Sequence, residues 1–118
     1  MKDKDIIRKR YLQDTVPTRM GGLAANLSRI KSFSSHDANQ EVVGSLLDES
    51  RLFIEWTAAE TELDTAAELV ELQVQLARWR HNWSRIWADA SQRHQVAEQA
   101  IQWSRRVLEL SGLLTSRT

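Results

Sequence analysis

Residues 65–90 read TAAELVELQVQLARWRHNWSRIWADA. Leu69, Leu72, Leu76, Trp79, Trp83, Ile86 and Ala90 follow one another at alternating spacings of three and four. That is a heptad seam, which packs lengthwise against other helices. Val70, Val74 and Ala77 form a second row that widens the apolar face, and Trp87 widens it further down. A helix apolar over so much of its circumference should touch more than one neighbour. The stretch therefore predicts the central helix of a bundle, over about 62–89.

Working outward, Thr15-Val16-Pro17 marks a helix start, because Pro is tolerated where its missing N–H has no partner anyway. Met20, Leu23, Leu27 and Ile30 supply a core stripe, and Gly21, Gly22, Ala24 and Ala25 a smooth surface for close approach. Asp37 with Gln40 fits a capping box opening a helix whose seam is Val43, Leu46, Ser50, Phe53 and Thr57. Residues 57–64 interrupt the pattern and predict a tight turn with Thr61 as the next cap, a continuous helix being the rival. At 89–95 the phase shifts to Val96, Ala100, Trp103, Val107, Leu110 and Leu114, and Asp89 with Gln92 again suggests a cap. The rival there is one helix of about 45 residues with a stammer. Gly112 should end the last helix, Leu113 and Leu114 fold back, and residues 115–118 fray. The expectation is all-α: an antiparallel four-helix bundle with helices at about 16–33, 38–57, 62–89 and 92–111. The first 14 residues would form a short helix or a mobile arm.

The chain has 118 residues and no cysteine. Its length suits a single domain, 1–118, and the lack of cysteine excludes disulfides and thiolate metal sites. No apolar run approaches the ~20 residues of a membrane span. MKDKDIIRKRYLQDT lacks the apolar core of a signal peptide, so a soluble, cytoplasmic protein is expected. Net charge is zero but segregated. Residues 1–36 hold eight Lys/Arg against three acids, residues 37–71 one against ten, and residues 72–118 seven against three. Acidic helices lying beside basic ones would explain this, as would two surfaces attracting different partners.

The residues offer little reactive chemistry. No His is preceded by Glu at the spacing of a di-iron bundle, and HExxH is absent. Acids such as Glu60, Glu62, Asp64, Glu68 and Glu71 read as a solvated helix start. No G-x-S-x-G sits in a strand–turn–helix setting. No catalytic residue, cofactor or metal ligand is assigned, and the chain is expected not to be an enzyme.

Five tryptophans accompany only two Phe and one Tyr. Trp79, Trp83 and Trp103 lie on seams and should be core. Trp56 and Trp87 lie off them, and with Arg80 and Arg85 they are the candidate contacts for another protein or for a homodimer. Residues 78–93 also interleave cations and rings, so Arg78, Arg80, Arg85 and Arg93 are the alternative nucleic-acid contacts. The neutral charge of the whole chain argues against that alternative. A third class is a small-ligand or enzymatic bundle with a pocket among the tryptophans.

RMGGLAANLSRIKSF, SLLDESRLFIEWTAAETE and VLELSGLL resemble a small uncharacterised all-helical family of cyanobacteria. The resemblance implies a cytoplasmic helical protein and supplies neither ligand nor mechanism.

Overall fold

A computed structural model describes residues 2–114. The expected fraying of residues 115–118 lies outside the described residues. The chain is all-helical, with no strand among those residues: α1 Lys2–Leu12, α2 Val16–Phe33, α3 Gln40–Thr57, α4 Leu63–His81, α5 Trp83–Ala88 and α6 Ala90–Ser111. The N-terminal stretch is thus a helix. The expected third helix is two helices, α4 and α5, parted at Asn82.

Local chemistry sets most of the ends. The Thr15 hydroxyl accepts the Thr18 N–H, and Pro17 lies in the first turn of α2. Asp89 Oδ1 accepts the N–H groups of Ser91 and Gln92, and the Gln92 amide donates to Oδ2, so the chain turns there and starts α6. Gly112 closes α6 at φ 77°, a left-handed position that only glycine adopts without strain. Two expected caps are absent. Asp37 opens a 3-10 turn, Asp37–Asn39, and neither that turn nor α3 receives a side-chain capping bond. The chain does turn near residue 60, through a second 3-10 turn, Ala58–Glu60, but the Thr61 hydroxyl donates back to the Ala58 carbonyl rather than capping α4.

The helices form a flat body of 41 × 36 × 22 Å. α2 packs most extensively on α6 and next on α3; α3 packs on α4; α4 and α6 scarcely meet. The closest pairing, α2 with α6, rests on small residues. Val96, Ala97, Ala100, Ser104, Val107 and Ser111 are the buried residues of α6, and the Ser104 hydroxyl donates to the Ala24 carbonyl of α2 at 2.7 Å. Leu113 reaches back to α2, where a Cβ on Gly21 would lie 3.1 Å from its Cδ1, but Leu114 is exposed and does not fold back as expected.

Ion pairs tie the acidic middle of the chain to the basic ends. Arg19 meets Glu60 at 2.7 Å, Arg80 meets Asp48 at 3.1 Å and Arg106 meets Glu68 at 2.7 Å. Arg19 is buried, and its remaining N–H groups donate to the carbonyls of Asp14 and Leu12. Tyr11 anchors α1 beside it. Its hydroxyl donates to the Arg19 carbonyl at 2.8 Å and accepts from Thr57, and its ring stacks on Phe53 with centroids 4.0 Å apart.

Burial pushes the Tyr11 phenol up to about 12, against an ordinary value of 10.0. The raised pKa means that the folded state favours the neutral phenol. That stabilisation is complete below pH 10.0 and is lost as pH rises towards about 12. Tyr11 is the only tyrosine, so ultraviolet titration reads it directly. The expected result is a phenolate signal delayed to about pH 12, and a decline in stability above pH 10.0 that Tyr11→Phe diminishes. Ser50 Oγ is a buried side-chain oxygen without a hydrogen-bond partner. Ser50→Ala should therefore raise stability by about 1 kcal/mol in urea unfolding, because it removes an unpaired polar group and favours the helix.

Candidate interaction surface

α4 carries two apolar faces, not one wide one. Leu69, Leu72, Leu76 and Trp79 are buried. At 3.6 residues per turn, Val70 and Val74 point about 160° away from the middle of that row. They are 47% and 46% exposed, so the second row does not widen the core face as expected. It belongs to a second seam with spacings of four, three, four, three and four: Leu63, Ala67, Val70, Val74, Ala77 and His81. Leu63 at its start is 83% exposed, and only Ala77 along it is half-buried. This is heptad geometry turned to solvent.

The flanks of the seam differ. One carries Asp64, Glu71 and Arg78, all exposed, whose side chains make no hydrogen bond or ion pair among the described residues. The other carries Ala66, Gln73 and Arg80. Gln73 donates to the Arg51 carbonyl and Arg80 is held by Asp48, so this flank is tied to α3. Beside it runs an open groove of about 490 Å³, whose lining includes Lys4, Leu52, Glu55, Val74 and Ala77.

The break at Asn82 positions the tryptophans. The Asn82 amide donates to the Arg78 carbonyl at 3.0 Å, and its backbone leaves helical values at φ −102°, ψ 17°. α5 then directs two indoles at the start of α3. Trp83 Nε1 donates to the Gln40 carbonyl at 2.9 Å, and Trp87 Nε1 to the Asp37 carbonyl at 2.8 Å. Gly44 admits this arrangement. A Cβ there would sit 3.2 Å from Arg80 Nη1 and 3.3 Å from Trp83 Nε1. The backbone carbonyl of Asp37, not its carboxylate, is what the fold uses.

Of the candidate contacts, Trp87 is only 5% exposed, and its ring faces Trp83 and the Arg93 guanidinium, 5.1 Å from the ring centroid. Its placement as a surface anchor is corrected: an indole needs an acceptor when buried, and the start of α3 supplies one. Trp56 is half-buried beside Tyr11 and Phe53. Arg80 is committed to Asp48, and Arg85 is exposed, donating to the Asn82 side chain. Trp79 and Trp83 are core as expected, whereas Trp103 is half-buried.

The four arginines of the nucleic-acid alternative are divided. Arg80 and Arg85 border one shallow depression with His81 and Ser84; Arg93 borders another with Lys31, Ser34 and His94. Arg78 borders neither and flanks the exposed seam. The Arg93 guanidinium also donates to the Trp87 carbonyl. Among the described residues no three His, Asp or Glu side chains group as a metal site, and no helix is long and apolar enough to cross a membrane.

Trp87→Phe should remove the indole's hydrogen bond to the Asp37 carbonyl and part of the ring's packing, and cost about 1–3 kcal/mol in urea unfolding, with association unaffected. Unchanged stability with lost association would make Trp87 a contact residue after all. No known protein family, curated protein or solved structure matches the chain.

Proposed function

We propose that the chain is a non-catalytic interaction module, joining another protein or a second copy of itself through the outer face of α4. One observation carries this reading: a helix that already buries one apolar seam presents a second at heptad spacing to solvent. Large contiguous apolar patches on a protein surface mark interaction sites, and Leu63, Val70 and Val74 line up along this one. The four longer helices, α2, α3, α4 and α6, are read as an antiparallel bundle, which their short connections favour, in one domain. The setting is taken to be cytoplasmic.

Affinity purification of the tagged chain from its own host tests the reading, with Val70→Glu/Val74→Glu as control. Both positions are exposed, so the double variant should keep its helical signal. The expected result is a protein, or untagged chain, retained by the parent and reduced at least about tenfold by the double variant. Equal retention by both would remove α4 from the interface. Retention that disappears with nuclease or steeply with salt, and with Arg78→Ala, would favour nucleic acid instead.

A further inference from the structure

The outer face of α4 has the symmetry needed to pair with itself. Its seam centres on residue 72, midway between Val70 and Val74 and between Ala67 and Ala77. The oppositely charged, unengaged pair on its flank, Asp64 and Arg78, centres on residue 71. One twofold axis near residues 71–72 therefore serves both. With the helices antiparallel, Val70 meets the partner's Val74, Ala67 meets the partner's Ala77, and Asp64 faces the partner's Arg78 at each end. The two charges lie about 21 Å apart along the helix, so both pairs can form together. The alanines let the backbones approach to about 8 Å.

The parallel alternative lacks this match. It sets the Asp64, Glu71 and Arg78 flank against Ala66, Gln73 and Arg80, which offers no acid for Arg78 and brings it towards another arginine. Arg80 is moreover already held by Asp48. Only antiparallel pairing uses the free charges.

Resting on the interaction-module reading above, we propose that the occupant of this face is α4 of a second copy, antiparallel about a twofold axis, with Asp64 paired to the partner's Arg78. The adjoining groove widens the contact through Lys4, Leu52 and Glu55. One feature opposes the pairing. Glu71 lies at the axis and faces its own counterpart, so the dimer is reversible and its strength is set partly by that repulsion.

Sedimentation equilibrium of the full chain over a range of concentrations tests the proposal. The expected parent behaviour is a monomer–dimer equilibrium. Val74→Glu should abolish the dimer while circular dichroism stays helical. Asp64→Arg and Arg78→Asp should each weaken it about three- to tenfold, and the two together should restore it. Glu71→Gln should tighten it about two- to fivefold by removing like charge at the axis. Failure of the double reversal to restore a dimer that each single change weakens would overturn the antiparallel register. A parent chain monomeric at its highest attainable concentration would overturn self-pairing altogether. If Val70→Glu/Val74→Glu nevertheless abolished capture of a different protein, the interaction-module reading would stand without it.

Discussion

A helix at the margin of a flat body can bury only one side, and that limit governs the outer part of this protein. α2 and α3 have neighbours on both flanks, but α4 leans on α3 and hardly reaches α6. Its link to α6 includes an ion pair, Glu68 with Arg106. Leu69, Leu72 and Leu76 are nevertheless fully buried, as part of the one apolar core that also holds Val107 of α6. Everything on the far side of α4 is left to solvent or to a partner.

The break at Asn82 follows from a second constraint, that buried indoles require acceptors. Helix interiors have no spare carbonyls pointing sideways. A carbonyl has two lone pairs, however, and at the start of α3 an indole from α5 can reach the second one. Trp83 and Trp87 reach Gln40 and Asp37 there, and a straight continuation of α4 would not turn both rings towards them. The kink costs little, because Asn82 covers the Arg78 carbonyl with its own amide. Gly44 completes the fit by leaving room for the Trp83 edge and for the Arg80 guanidinium that pairs with Asp48.

Much of this was legible in the residues, and the losses have specific causes. Helix type and approximate limits followed from period and from the chemistry at Thr15, Asp89 and Gly112. The charge blocks anticipated acidic elements facing basic ones, as Arg19, Arg80 and Arg106 demonstrate. The row Val70, Val74 and Ala77 was visible but assigned to the wrong side, because periodicity identifies faces without saying which has a neighbour. Counting it from Leu63 to His81 would have exposed a complete second seam. The expected α6 stripe holds at Val96, Ala100 and Val107, which are buried, while Trp103 and Leu110 are half-buried against the core. The small residues at 97, 104 and 111 complete the buried face and drew no attention beside the larger ones. Trp87 was misplaced because its burial depends on a carbonyl brought from 50 positions away in sequence.

Charge segregation bears on association as well as on folding. Most interhelix pairs in this structure are consumed internally, each joining the acidic segment 37–71 to an arginine outside it. Asp64, Glu71 and Arg78 enter none of these pairs, and they share one flank of the open second face of α4. Asp64 and Arg78 stand in the first and last turns, where an acid and a base suit the helix dipole, and a twofold axis through the seam also sets each against the other's copy. Seam and flank follow the same helical repeat, and the midpoint of Asp64 and Arg78 lies one residue from the midpoint of the seam. A partner of unrelated sequence would need to match both by its own design, whereas a second copy matches both by symmetry alone. Self-pairing is accordingly the simplest occupant that the surface of α4 allows.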